Sequence, residues 1–151
     1  IAGNFIDEYR KIISKHPSWH KVKYLGFLTQ KDLGIAFQKP TIAITLLHYH
    51  ANVGYNLGTL GNTKFFEYMK YGLPIICTDF KLWKEQIIDK YKCGICVNPD
   101  NEEEVKQAIQ YLIDNKEIAY QMGQNAQKAF REEFNWNSQE QILLNIYKSL
   151  N

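Results

Sequence analysis

An α/β fold, a doubly wound parallel sheet followed by C-terminal helices, is predicted by three observations. Short β-branched, apolar runs alternate with amphipathic helical patterns, at lengths that suit strand–helix–strand units. The runs are continuously apolar rather than alternating, as expected of parallel strands covered on both faces. Three helical patterns in succession then fill the C-terminal third.

The elements follow in order. Ile1-Ala2-Gly3 reads as the end of a strand whose start lies upstream, so the chain is expected to begin mid-domain. Phe5, Ile6, Tyr9, Ile12 and Ile13 mark an amphipathic helix after it. Residues 22–27 form a strand candidate, and residues 30–38, with Leu33, Ile35 and Phe37, a short helix closed by Lys39-Pro40. Residues 41–47 are a second strand, expected to be buried on both faces and central in the sheet. Residues 74–78 and 94–97 repeat that pattern around a helix carrying Leu82, Trp83, Ile87 and Ile88. Helices are predicted over 102–113, 116–134 and 138–150, with Gly123 a weak point in the second. The apolar face of the last helix, Ile142, Leu143, Ile146 and Tyr147, suits packing on this domain or on an absent one.

Composition narrows the function. With 151 residues, 45% of them hydrophobic, the chain can bury one good core, and a single domain is expected. The net charge of +2 arises from 18 basic and 16 acidic residues without a dense cationic run, so no nucleic-acid partner is expected. No apolar stretch reaches the roughly 20 residues of a membrane helix, and the start does not read as a signal peptide; a soluble, cytoplasmic chain is expected. Three cysteines do not suggest a secreted disulfide framework. Cys93-Gly94-Ile95-Cys96 has CxxC spacing but no second ligand pair, and reads as strand packing rather than a zinc or redox motif. His48 and His50 have no third ligand nearby in sequence, so no metal is expected.

Chemistry concentrates in residues 54–76. Gly54, Gly58 and Gly61 let the backbone approach a ligand, and Asn62 and Thr63 can cap a helix whose free N–H groups face that loop. Lys64 adds positive charge, either as an ammonium on a phosphate or, with its side chain in solvent, through its N–H alone. Glu67, about one turn in, is placed to accept hydrogen bonds from ribose hydroxyls. Its bland alternative is a surface acid stabilising the helix start. Tyr55 and Asn56 either line the pocket or shape the loop, while Phe65, Phe66, Tyr68 and Met69 read as core packing. Gly72-Leu73-Pro74 ends the helix and starts the next strand. The loop lacks the Gly-Lys-Ser/Thr of ATPase-type phosphate loops.

Taken in order, Ile42-Ala43-Ile44-Thr45-Leu46-Leu47, Asn52, Tyr55-Asn56, Asn62-Thr63-Lys64-Phe65-Phe66-Glu67-Tyr68-Met69 and Gly72-Leu73-Pro74-Ile75-Ile76 resemble the donor-binding domain of GT-B-type retaining glycosyltransferases. Tyr24-Leu25-Gly26-Phe27, the stretch from Lys92 through Asp100, Met122-Gly123-Gln124-Asn125-Ala126 and Phe134-Asn135-Trp136 extend the resemblance over nearly the whole chain. It implies a Rossmann-like half of a GT-B fold that binds a UDP-, GDP- or ADP-sugar without a further cofactor or metal. Glu67 would hold the ribose, Asn62, Thr63 and Lys64 the diphosphate, Tyr55, Asn56, Gly58 and Thr59 the sugar, and Gly26 and Phe27 the base.

The implied reaction is sugar transfer to an acceptor hydroxyl with retention, in polysaccharide or glycolipid synthesis. Many relatives carry a second glutamate eight residues before the position of Glu67, and here that position is Thr59. The diphosphate-binding basic pair and the catalytic and acceptor residues of the family lie upstream and in an N-terminal domain. That domain is the expected partner, alongside an acceptor glycan or lipid, and a route to the inner face of the membrane. This fragment alone is expected to bind without turnover. A nucleotide-sugar epimerase of the same architecture, or a non-catalytic α/β binding module, are the alternatives.

Overall fold

The computed structural model describes residues 1–4, 6–38 and 40–150. Phe5, expected on the first helix, and Lys39, expected to close the second, lie outside the described residues. The chain divides into two compact units, Ile1–Lys39 and Pro40–Asn151.

The first unit contains α1 (Asp7–Ile13), a 3-10 turn at Pro17–Lys21 and α2 (Gln30–Ala36). Helix α2 is capped by Thr29, whose Oγ1 accepts from Asp32 N–H at 3.2 Å. Residues 22–27 alternate between half-buried and exposed, but the expected strand is not formed, and Gly26 turns the chain at φ 68°. Two of their backbone bonds go to the first residues. Leu25 N–H donates to Ile1 O and Gly3 N–H to Gly26 O, both at 2.8 Å, a contact too short and irregular for a ladder. Ile6, Tyr9 and Ile12 are all exposed.

The second unit is a parallel sheet of β1 (Ala43–Thr45), β2 (Ile75–Thr78) and β3 (Gly94–Val97) in the order β1-β2-β3. Ala43 pairs with Ile75, and Ile75 with Gly94. Strand β2 is buried throughout, so its four apolar and β-branched residues meet protein on both faces. On one face Ile75 and Cys77 join Phe65 and Met69 of α3 (Thr63–Lys70), and Ala126 and Ala129 of α7 (Lys116–Glu132). Trp83, Ile87 and Ile88 complete that layer from the helical stretch of α4 (Lys81–Trp83), a π turn (Lys84–Ile88) and α5 (Asp89–Tyr91). On the other face Ile76 packs with Ala108 and Leu112 of α6 (Glu102–Asp114). Helices on both faces of a parallel sheet make the doubly wound arrangement.

Two expectations are corrected here. The run 41–47 yields only three strand residues, and among the described residues of this unit β1 lies at the sheet edge rather than at its centre. Ala43 and Thr45 are buried, while on the other face Ile44 is 42% exposed between half-buried Ile42 and Leu46, so that face is only partly covered. Gly123 is not a weak point. A Cβ there would stand 2.1 Å from Gly72 O, so α7 can approach the turn after α3 only through a glycine.

That turn is a Schellman motif. Gly72, at φ 66°, gives its N–H to Met69 O at 3.0 Å, and Leu73 N–H reaches Tyr68 O at 3.1 Å. Gly94 has a comparable constraint, since a Cβ would lie 2.0 Å from Ile75 O on the neighbouring strand. Backbone cannot yield as a side chain tip does. Gly94→Ala is expected to cost about 1–3 kcal/mol, read as a lowered midpoint in urea at unchanged slope.

The last helix, α8 (Trp136–Ser149), starts two residues earlier than expected because Asn135 caps it, accepting from Ser138 N–H at 3.0 Å. It carries no buried residue. Among the described residues no helix is long and apolar enough to cross a membrane.

Candidate functional site

All three strands run the same way, so the segments after β1, β2 and β3 emerge at one edge of the sheet, where folds of this type bind ligands. Side chains lace these exits together. Thr78 Oγ1, at the end of β2, donates to Leu47 O at 2.8 Å and accepts from Leu47 N–H at 2.9 Å. Asp79, the residue after Thr78, and Tyr49, two residues after Leu47, repeat the link, Tyr49 donating its phenol to Asp79. Burial, then that bond, pushes the Tyr49 pKa well above its ordinary range. His48 Nδ1 meets Asp100 Oδ1 at 2.6 Å, joining the β1 exit to the turn after β3. Thr78→Val keeps the shape but strands both partly buried backbone groups of Leu47. A loss of about 1–3 kcal/mol is expected, measurable as faster amide exchange at Leu47.

The loop after β1 is seated on the same core. Gly54 lies at φ 78° and Gly58 at φ 76°, and a Cβ on Gly58 would meet Phe80 Cβ at 2.6 Å. Trp83 Nε1 donates to Thr59 O at 2.6 Å, and Thr59 Oγ1 accepts from Gly61 N–H at 3.3 Å. Thr59 therefore shapes the loop with both its backbone and its hydroxyl. Tyr55 is in the left-handed region at φ 49°, uncommon for a bulky residue, and its ring is exposed, as is Asn56. An uncommon backbone held at a ligand edge is the kind of strain that surrounding structure must enforce.

The loop delivers the chain to the N-terminus of α3. Asn62 is the cap: its Oδ1 accepts from Lys64 N–H at 3.1 Å and its Nδ2 reaches Thr45 Oγ1 at 3.3 Å. Thr63 is the first helical residue rather than part of the cap. Since Asn62 already takes the Lys64 N–H, a phosphate reaching that group must compete with the cap or use Thr63 N–H beside it. Lys64 is exposed.

Glu67 lies one turn in, on the face it shares with Thr63 and away from buried Phe65 and Met69. Helical side chains lean toward the N-terminus, which carries the carboxylate toward the same helix end. Glu67 is half-buried, and its carboxylate has no hydrogen bond or ion pair among the described residues. Tyr68, one position on, anchors the helix to β1 through Ile44 O at 3.3 Å.

The second unit thus brings together Asn62, Thr63, Lys64 and Glu67 on α3, with Tyr55, Asn56, Gly58 and Thr59 on the loop leading into it. Gly26 and Phe27 lie in the first unit, Gly26 at φ 68° and Phe27 74% exposed. Among the described residues no group of three or more His, Cys, Asp or Glu is arranged to hold a metal. The bracing residues Thr45, Thr78, Tyr49, Asp79, Trp83 and Asp100 escaped the sequence reading. A threonine ending each of two apolar strands was the signal that could have found the first two.

Fold and edge together define an α/β domain of the doubly wound class. Residues 1–129 match the family model described as Glycosyl transferases group 1, and the chain belongs to that family. An uncharacterized glycosyltransferase of Methanocaldococcus jannaschii is 26% identical over 116 residues, covering 77% of this chain and 29% of that protein. Sucrose-phosphate synthase from Thermosynechococcus elongatus matches 95% of this chain and 34% of its own with a TM-score of 0.76. At 17% identity that likeness is one of fold. The chain spans about a third of the length of these relatives.

Proposed function

We propose that this chain is the donor-binding part of a glycosyltransferase that takes a nucleoside diphosphate sugar. The observation that carries the reading is Glu67, a half-buried carboxylate with no hydrogen-bond or ion-pair partner among the described residues, one turn inside a helix whose N-terminus closes a glycine loop at the ligand edge. Ribose offers two adjacent hydroxyl donors, which a carboxylate accepts well. The diphosphate meets the N-terminus of α3, where the partial positive charge of the helix and the Thr63 and Lys64 N–H groups favour an anion. That charge also stabilises the departing diphosphate as sugar transfer proceeds.

Family membership supports a transferase reading, and the further details belong to the same proposal. Transfer proceeds with retention to an acceptor hydroxyl of a glycan or lipid, with catalytic groups supplied by a separate acceptor domain, in the cytoplasm or at its membrane face. The loop 54–61 faces the sugar.

Isothermal calorimetry of the chain with UDP, GDP and ADP tests the core of this reading. Saturable one-to-one binding of one of them, competed by the matching nucleotide sugar, is the expected result. Heats indistinguishable from dilution for all three would overturn it.

A further inference from the structure

The CxxC spacing draws attention to Cys93 and Cys96, yet the sheet pairs a different two cysteines. Cys77 on β2 and Cys96 on β3 are register partners, so their side chains leave the same face of the sheet side by side. Their Sγ atoms are 3.8 Å apart. Neighbouring strands lie about 4.8 Å apart. Disulfides span Cα separations of about 4.4–6.8 Å, and bringing sulfurs to about 2.05 Å requires side-chain rotation without moving a strand. Cys93 faces elsewhere, its thiol donating to Ile87 O at 3.7 Å.

The pair is also asymmetric in access. Cys77 is fully buried among Phe65, Phe80 and Trp83, whereas Cys96 is half-buried at the margin of that cluster. A reagent from solvent meets Cys96 first, and Cys77 stands behind it with its Sγ 3.8 Å away. An accessible attacking thiol with a sheltered resolving thiol beside it is the arrangement that thiol–disulfide exchange needs.

We propose that Cys77 and Cys96 form a reversible dithiol–disulfide modification site, entered through Cys96 and oxidised by a low-molecular-weight disulfide such as oxidised glutathione. The Cys96 thiolate attacks one sulfur of that disulfide, breaking its S–S bond, releasing one small thiolate and leaving a mixed disulfide on Cys96. Cys77 then loses its proton to the released thiolate and attacks Cys96 Sγ, displacing the second small thiol. Two protein thiols are oxidised and one small disulfide is reduced to two thiols, with no other reactant. Contact with Cys96, followed by burial, holds the Cys77 thiol well above its ordinary range, so the second step is the slower one. Burial likewise pushes Cys93 up to about 12, and its thiol is turned to Ile87 O rather than to Cys96.

The new bond would tie β2 to β3 immediately before Thr78 and Asp79, which brace the loop after β1. The site stands on the sheet geometry and is independent of the donor reading above.

The test treats the folded, reduced chain with oxidised glutathione, removes the reagent, denatures the protein and titrates thiols. The expected result is a fall from three free thiols to one, a linked Cys77–Cys96 peptide pair in the digest, and full recovery with dithiothreitol. Cys77→Ser should stop at a glutathione adduct on Cys96, Cys96→Ser should leave the other two cysteines unmodified, and Cys93→Ser should behave as the parent does. No loss of thiols in the parent, an adduct on Cys96 that never resolves, or a crosslink through Cys93 overturns the proposal.

Discussion

Glu67→Ala is expected to weaken binding of the preferred nucleoside diphosphate by roughly 10- to 150-fold, while thermal stability changes little. Hydrogen bonds to a charged acceptor contribute about 1.5–3 kcal/mol, and every 1.4 kcal/mol is tenfold in affinity. The carboxylate has no partner of its own among the described residues, so removing it strands no buried donor. Its effect on the fold is limited to a helix-end interaction of about 0.3–1 kcal/mol. Glu67→Gln keeps the shape and one acceptor oxygen, and should fall between the parent and the alanine variant. The deoxy control is sharper: the penalty of Glu67→Ala should shrink with a 2′-deoxynucleoside diphosphate, because one donor is already missing. Unchanged calorimetric affinity in Glu67→Ala would sink the ribose assignment while leaving diphosphate binding open.

Trp83→Ala should be among the most destabilising single changes in the chain, at about 3–5 kcal/mol. The indole is buried, lies edge-to-face with Phe65 at 4.6 Å and Phe80 at 4.8 Å between ring centroids, and gives its N–H to Thr59 O. Losing it opens a cavity under the sheet and orphans a loop carbonyl together. Trp83→Phe separates the two effects. The phenyl ring retains most of the packing, so the fold should lose only about 1–2 kcal/mol, chiefly from the missing hydrogen bond. Ligand affinity should fall further than stability does, because the loop 54–61 is released from its anchor. Equal urea midpoints for Trp83→Phe and Trp83→Ala would show that the hydrogen bond, rather than the packing, dominates.

Local pattern carried a large part of the fold. Gly94-Ile95-Cys96-Val97 became β3 with the expected bounds, because a short apolar run between a glycine and an Asn-Pro turn leaves little choice. Helices α6 and α7 likewise follow apolar spacing and end within two residues of expectation. The same local rule misjudged residues 41–47, since coverage of Ile44 depends on what lies beyond β1 and not on its own neighbours. Gly123 was misjudged for a related reason. Helix propensity sees a cost, whereas the contact with Gly72 O arises between segments remote in sequence.

The candidate site divides along the same line. Asn62 as cap and Glu67 one turn in were legible because both are set within a single helix. His48 with Asp100, Tyr49 with Asp79 and Thr78 with Leu47 bridge distant segments, and no sequence periodicity announces them. Cys93 and Cys96 show the hazard most plainly, for a familiar spacing pointed to two thiols while the strand register selects another pair.

The edge position of β1 has a consequence for hydrogen exchange. Amides of β2, which is buried throughout between helical layers, should open only with the whole unit. Strand β1 is three residues long, open on one face at Ile44, and held at its exit by side chains rather than by a longer ladder. Its amides and those of the loop leading to α3 should therefore exchange through small local openings. A ligand gripping the α3 N-terminus would suppress those openings first, so protection spreading from residues 43–64 reports occupancy without any change in the rest of the sheet.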